Sequence, residues 1–323
     1  MSVNVSIVIP VYFNEGSIFA TYNTISEEVI SKWTNKTFEL IFVDDGSGDR
    51  SLEEMQELYQ KNPEQVKLIK FSRNFGQLAA IMAAYKMATG DCIINISADL
   101  QDPPELMNDM IKCFYEQGTQ IVIGTRQDRD ESWYRKQTSR FFYSLIKKLS
   151  FKNMPVGGFD FALISAKVRD TLLDHFEANS FWQGQLLWTG FPVMFIPYMR
   201  RKRELGQSRW TFGKKMKYLI DGVMGYSYWP LRAMSVMGLI FFILGLLYAL
   251  FITISYFLGN IPFKGWAPIM ILILVLSGIQ MLMLGILGEY LWRTLDQVRK
   301  RPMYIIDKSY SIGPLTPDNN EVK

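Results

Sequence analysis

The sequence predicts an α/β domain built on a largely parallel sheet, followed by a hairpin of two transmembrane helices. Three observations predict it. Over the first 125 residues, short β-branched runs alternate with helical patterns, the wiring of strands joined by crossover helices. The polar signals gather in the loops after the strands, where open α/β sheets collect their ligands. Near the C-terminus, Ala233–Leu258 and Trp266–Gly288 carry no charged residue, and each exceeds the roughly 20 residues that a bilayer-spanning helix needs.

Taken in order, strands are expected near 5–11, 38–43, 66–71, 91–96 and 120–125, with helices near 16–31, 50–60, 77–88 and 105–117. The first strand starts at once on Val5-Ser6-Ile7-Val8-Ile9, with no charged segment, apolar stretch and cleavage site before it, so no cleaved leader is expected. Beyond the fifth strand the pattern loosens into a helix near 135–149, a Gly157-Gly158 turn, a strand–helix pair and a final strand near 192–199. Residues 211–230 set Lys214, Lys215 and Lys217 near Trp210, Tyr218, Tyr226, Tyr228 and Trp229, a mixture suited to an amphipathic interfacial helix; an ordinary surface helix is the competing reading. The catalytic portion is placed at 1–210, the spans at 231–258 and 266–292, and a tail at 293–323. Buried core helices would also be apolar, but they are seldom so long and so apolar on every face.

The net charge of +4 is a poor guide to partners because the basic residues are local. Within residues 200–217, Arg200, Arg201, Lys202, Arg203, Arg209, Lys214, Lys215 and Lys217 stand against a single Glu204, and Arg293, Arg299, Lys300 and Arg301 follow the second span. The loop between the spans has only Lys264, so the positive-inside rule puts both flanks in the cytoplasm and makes the chain an integral membrane protein. Anionic headgroups, and not nucleic acid, are the partners such juxtamembrane charge attracts. Cys92 and Cys113 lack metal-ligand spacing and are expected to be buried, reduced thiols.

A single histidine, His175, stands in a helical stretch with no nucleophile elbow near it, which disfavours a hydrolase triad. The first strand–helix turn, Pro10-Val11-Tyr12-Phe13-Asn14-Glu15, lacks the glycines of a dinucleotide-binding fingerprint. Three later strand ends are richer. The second carries Asp44-Asp45-Gly46-Ser47-Gly48-Asp49, whose carboxylates can accept from a ribose hydroxyl or a base N–H. The third leads through Ser72-Arg73-Asn74-Phe75-Gly76-Gln77 into a helix, and the fourth ends in Ser97-Ala98-Asp99-Leu100-Gln101-Asp102-Pro103-Pro104-Glu105. There the Asp99 carboxylate and Gln101 amide oxygen can face one hard cation that in turn holds a diphosphate.

In this order and spacing, these segments, together with Arg203 through Gly206-Gln207-Ser208-Arg209 and the two apolar stretches, resemble glycosyltransferase family 2 over nearly the whole chain. Within it they are most similar to the polyprenyl-phosphate branch, which includes dolichol-phosphate mannose synthase and bacterial undecaprenyl-phosphate glucosyltransferases. The resemblance implies a GT-A-type, Rossmann-like domain that binds a UDP- or GDP-hexose, uses Mg2+ or Mn2+, and transfers one sugar with inversion to a polyprenyl phosphate. The product would be a lipid-linked sugar for glycan or cell-envelope assembly at the cytoplasmic face of a bacterial inner membrane.

By the same resemblance, Pro10, Tyr12 and Glu15 flank the base, Val43 and Asp45 lie beside base and ribose, and Ser97, Ala98 and Asp99 line the donor site. Asp99 and Gln101 match metal ligands, and Arg126 matches a contact to donor phosphate or sugar. Arg203 and Arg209 match a basic pair that closes over the diphosphate, and Asp160 matches a carboxylate near the acceptor. Asp99, Asp160, Arg203 and Arg209 are thus the expected catalytic set. Phe13 is an extra residue in the first turn, leaving open whether Asn14 or Glu15 takes the family glutamate's place. Arg209 replaces the usual lysine, and Ser97 stands where many relatives have the first aspartate of a pair. A synthase acting on a sugar hydroxyl is disfavoured by only two spans and a Gln207-Ser208-Arg209-Trp210 string one residue short of that group's motif. A non-catalytic nucleotide-sugar-binding scaffold rests on Ser97 alone. Oligomeric state, self-association included, stays open.

Overall fold

The computed structural model describes residues 3–127, 154–155, 158–175, 177, 181–201, 222, 224–225, 227, 229–258 and 267–311. The chain divides into two compact units, Met1–Leu219 with Pro302–Lys323, and Ile220–Arg301.

The first unit alternates strand and helix as expected: β1 (Val5–Val11), α1 (Ile18–Glu28), β2 (Phe38–Asp44), α2 (Ser51–Lys61), β3 (Val66–Phe71), α3 (Gln77–Met87), β4 (Cys92–Asn95), α4 (Leu106–Gln117) and β5 (Ile121–Arg126). The first helix stops earlier than residue 31 because the β-branched pair Val29-Ile30 leaves α geometry, and Ile30–Lys32 tightens into a 3-10 turn. After the fifth strand come β6 (Ala162–Ser165), α5 (Ala166–Asp174), α6 (Trp182–Trp188) and β7 (Val193–Tyr198). The helix expected at 135–149, Gly157, and most of the interfacial helix expected at 211–230 lie outside the described residues.

A further strand, β8 (Ile306–Tyr310), completes an eight-stranded sheet in the order β7-β5-β6-β4-β1-β2-β3-β8. Strands β1 to β4 are mutually parallel, whereas β6 runs antiparallel between β4 and β5. The central strands are buried on both faces, as parallel strands covered by crossover helices must be. On one side, Val5, Ile7, Ile9 and Val11 pack with Phe42 of β2, Ile18 and Ile25 of α1, and Met107 and Met110 of α4. On the other, α3 lies on β1 and β2 and buries every residue from Ala79 to Tyr85, its alanines allowing close approach. Because β1 has β2 on one side and β4 on the other, the strand order reverses there, and the carboxyl ends of strands at such a reversal are where open α/β sheets bind ligands.

The tail supplied a strand that its sequence did not announce. β8 pairs antiparallel with β3, Ile305 O accepts from Ser72 N at 3.0 Å, and the Tyr304 ring stacks on Phe71 with centroids 5.0 Å apart. Lys70 Nζ reaches Asp307 Oδ2 at 2.6 Å, closing the same edge.

The second unit contains α7 (Trp229–Phe257, 29 residues) and α8 (Ala267–Arg299, 33 residues). At about 1.5 Å per residue both exceed the roughly 30 Å of a bilayer's hydrocarbon core. Their apolar windows, at mean hydropathies of 2.6 and 1.4, have none of their residues buried, unlike the core helices of a soluble protein. Leu239, Phe242, Leu246 and Leu282 are among the large apolar side chains left exposed.

The turn after β2 is under two constraints that can be tested. Gly46 has φ +73°, and a Cβ there would lie 2.6 Å from the Arg73 carbonyl carbon and 2.7 Å from Asn74 N. Gly46→Ala is expected to destabilise the protein by about 2–4 kcal/mol through left-handed strain and a backbone clash, while Gly48→Ala, whose Cβ would meet the Phe13 ring at 3.5 Å, is expected to cost far less. Thermal unfolding of the solubilised chain separates the two. Asp44 is fully buried, its Oδ1 accepts from Ser47 N at 3.0 Å, and its Oδ2 has no hydrogen-bond partner. Burial raises its pKa, with the Ser47 hydrogen bonds acting against it. As pH rises past the ordinary value of 3.8 the unfolded chain ionises first, so this residue's contribution to stability falls until the raised folded value is passed. Asp44→Asn cannot ionise, so its melting temperature relative to the parent is expected to become more favourable from pH 4 to pH 7; a difference independent of pH would show that burial does not perturb Asp44.

Candidate active site

The loops after β1, β2 and β3 lie together at the carboxyl ends of the strands. The extra residue in the first turn, Phe13, is accommodated at φ +55° and sets its ring edge-on to Tyr12 at 4.8 Å. Ser47 Oγ accepts from Phe13 N at 3.0 Å, and Ser51 Oγ from Asn14 N at 2.8 Å, so the second loop templates the first. Asn14 turns back to accept from Tyr12 N at 2.9 Å, whereas the more exposed Glu15 accepts from Arg50 N at 3.3 Å. Pro10 and Tyr12 are half-buried at the mouth of the turn.

Two residues expected beside the base have structural work of their own. Val43 is fully buried in the sheet. Asp45 accepts from Phe75 N at 2.6 Å, and from Gly76 N and Asn74 Nδ2 at 2.9 Å, so its carboxylate shapes the Ser72–Gly76 turn.

Beyond β4, the buried Ala98 offers its carbonyl to Thr21 Oγ1 at 3.0 Å, fixing the strand end to α1. Asp99 Oδ1 accepts from Ser97 Oγ at 2.5 Å and from Gln101 N at 3.3 Å, and Leu100 between them takes φ +52°. Ser97 therefore orients the carboxylate through its proton. Among the described residues there is no group of three or more His, Cys, Asp or Glu set to hold a metal. The donors of this one turn, a carboxylate and the Gln101 amide oxygen, are hard oxygens of the kind that would suit a divalent cation such as Mg2+ or Mn2+.

A charged cluster lies beside that turn. Arg126, at the end of β5, has its side chain 6% exposed; its Nη2 meets Asp160 Oδ2 at 2.9 Å and its Nε donates to Tyr198 Oη at 3.2 Å. Tyr198, at the end of β7, in turn donates to Asp102 Oδ1 at 2.5 Å. Asp160 is also held from its other oxygen by Gln183 Nε2 at 3.0 Å. Arg200 Nε stands 3.6 Å from Asp102 Oδ1, and Arg126 Nη2 3.9 Å from the same atom.

The electrostatics follow from burial and neighbours. Burial raises the Asp102 pKa, with Arg126 and Arg200 opposing it. Burial works to lower that of Arg126, but Asp160 and Asp102 outweigh it and hold the guanidinium firmly charged. For Arg200 the balance is reversed, since burial and the neighbouring Arg126 depress its pKa.

The structure thus brings Ser97, Ala98, Asp99 and Gln101 into one turn and pairs Arg126 with Asp160, while Arg203 and Arg209 lie outside the described residues. Sequence reasoning missed Asp102, Tyr198, Arg200 and Gln183. Arg200 was absorbed into the basic run before the first span, although its place two residues past the end of a strand was the signal that separated it from the rest. His175 caps α5 and packs against the Trp188 ring.

The chain is similar to known proteins over most of its length. The chain is 38% identical over 308 residues to an uncharacterized glycosyltransferase, YkcC, of Bacillus subtilis, covering 95% of this chain and 94% of that one. It is 32% identical over 311 residues to an SfII prophage-derived bactoprenol glucosyl transferase of Shigella flexneri, covering 96% and 99%. Among solved structures, glucosyl-3-phosphoglycerate synthase from Mycobacterium tuberculosis aligns with a TM-score of 0.48 at 16% identity, over 68% of this chain and 79% of that one. The sequence profile of Glycosyl transferase family 2 matches residues 6–173, from the second residue of β1 past β6 with every strand-end motif among them, and the chain belongs to that family.

Proposed function

We propose that this protein transfers a single hexose from a UDP- or GDP-sugar to a polyprenyl phosphate, undecaprenyl phosphate in a bacterium, with inversion at the anomeric carbon. The observation that carries the reading is the Arg126–Asp160 pair, fixed beside the Asp99 turn at the strand ends of a chain related end to end to a bactoprenol glucosyl transferase. The product is a lipid-linked sugar for glycan or cell-envelope assembly.

A lipid phosphate is its own nucleophile. With a second pKa of about 6 it is mostly dianionic at neutral pH, so no general base has to remove a proton. What the protein must do is hold two anionic groups in line and stabilise the departing nucleoside diphosphate. Arg126 is suited to the first task because Asp160 and Tyr198 fix its guanidinium before substrate arrives. Asp160, 39% exposed and held by Gln183 and Arg126, is suited to orient the sugar or the acceptor. Asp99, steadied by Ser97, and Gln101 would hold Mg2+ or Mn2+. A bound divalent cation there supplies positive charge against the leaving diphosphate. By the family resemblance, Arg203 and Arg209 would contribute positive charge to the same group.

A polyprenyl chain leaves the bilayer at a cost of about 0.8 kcal/mol per exposed CH2, so the site must come to the membrane. The proposed arrangement is a cytoplasmic catalytic portion at 1–210, an interfacial helix at 211–230, spans at 231–258 and 266–292 and a cytoplasmic tail at 293–323, in a bacterial inner membrane. Support comes from the two long helices with unburied apolar windows and from the basic flanks of that segment.

Purified protein incubated with undecaprenyl phosphate, Mg2+ or Mn2+ and a panel of UDP- and GDP-hexoses is expected to yield a chloroform-soluble mass of lipid phosphate plus one sugar; turnover of every donor without that mass would remove the acceptor assignment. Asp160→Asn is expected to lower kcat/KM on the order of 10–100-fold by leaving the buried Arg126 without its nearest countercharge. Steady-state kinetics with the active donor checks this, and unchanged kinetics would assign the pair to folding alone.

A further inference from the structure

Arg200 differs from its neighbour Arg126 in how its donors are used. Arg126 spends Nε on Tyr198 and Nη2 on Asp160. Arg200 makes no hydrogen bond among the described residues: its nearest countercharge, Asp102 Oδ1, is 3.6 Å from Nε, and that oxygen already accepts from Tyr198. Nε is buried and has no hydrogen-bond partner among the described residues, while the side chain as a whole keeps 28% of its surface open. A guanidinium carries five donors in a planar fork matched to oxyanions, and a part-buried one whose Nε has no partner among the described residues is suited to receive an acceptor.

Its backbone, by contrast, is fixed on both sides. Tyr198 O accepts from Gln127 N at 2.9 Å and its hydroxyl is locked onto the buried Asp102. Arg201 N donates to Gln101 O at 2.9 Å, which ties the following residue to the turn that carries Asp99. Arg201 itself points to Glu105, its Nη2 2.7 Å from Oε1, so the two adjacent arginines have separate roles. Arg126 and Arg200 also share Asp102 as a countercharge, a juxtaposition of like charges that a bound anion would relieve.

From this fixed backbone and unspent head, we propose that Arg200 binds a phosphate oxyanion of one of the two substrates, beside Arg126. The inference rests on the reading of the site as one that joins a nucleoside diphosphate sugar to a lipid phosphate. Both substrates present that chemistry, and the experiment tells them apart.

The full-length protein, in detergent or nanodiscs, is compared with Arg200→Gln, Arg200→Lys and the neighbouring Arg201→Gln. The readouts are KM for undecaprenyl phosphate, KM for the hexose donor that the parent uses, kcat, melting temperature, and equilibrium binding of UDP, GDP and undecaprenyl phosphate. Arg200→Gln is expected to raise one KM on the order of tenfold or more while the other stays within about twofold and the melting temperature holds. A rise confined to undecaprenyl phosphate assigns Arg200 to the acceptor phosphate, and one confined to the donor assigns it to the diphosphate. Arg200→Lys should recover part of the loss by restoring charge, and Arg201→Gln should move neither KM. Unchanged KM values, or a parallel loss of kcat, both affinities and melting temperature, would overturn the inference. If the parent makes no glycosyl lipid, the proposed function fails; the binding measurements then still decide whether Arg200 holds an oxyanion, because a variant that binds all three ligands as tightly as the parent does not.

Discussion

A single buried carboxylate organises the active-site end of the sheet. Asp102 is 1% exposed, and it draws together Tyr198 from the end of β7, Arg126 from the end of β5 and Arg200 just past β7. These groups come from segments far apart in the chain, and without a shared anion the two guanidiniums would repel one another. Burying a carboxylate is costly unless it is paired and hydrogen-bonded. Here the cost is offset in part by one hydroxyl and two cations, and the outcome is a guanidinium, that of Arg126, whose position is set by neighbours and not by substrate.

The loops after β1, β2 and β3 are organised by the same means. Asp45 reaches across from β2 to hold three donors of the Ser72–Gly76 turn, while Ser47 and Ser51 hold the backbone of the Phe13–Asn14 turn. The strand-end loops therefore support one another through hydrogen bonds that are already made. Aspartates placed at strand ends can serve ligand, loop or both, and residue type alone does not distinguish these uses.

Much of this was legible in the sequence because it depends on local pattern. Alternating β-branched runs located β1 to β5 and β7, charge-free stretches located α7 and α8, and the Asp99-Leu100-Gln101 string located a strand-end turn with hard oxygen donors. Asp102, Tyr198 and Arg200 were not legible, since their meaning lies in a contact between residues 96 apart in sequence for Asp102 and Tyr198. The antiparallel β8 was missed for a related reason. Its Ile306-Asp307-Lys308-Ser309-Tyr310 is a polar edge strand with exposed residues, and its stability comes from the partner it finds in β3 rather than from its own hydrophobic period.

That last strand changes what kind of object the catalytic unit is. The sheet is made from two stretches of chain, with the helical hairpin inserted between β7 and β8. During synthesis, β3 waits with an unpaired edge until α7, α8 and the residues after them have been made. Completion of the sheet thus reports that the hairpin has already been translated, and a chain cut short within α8 is left with an open β edge, the surface through which quality-control factors and aggregation both act.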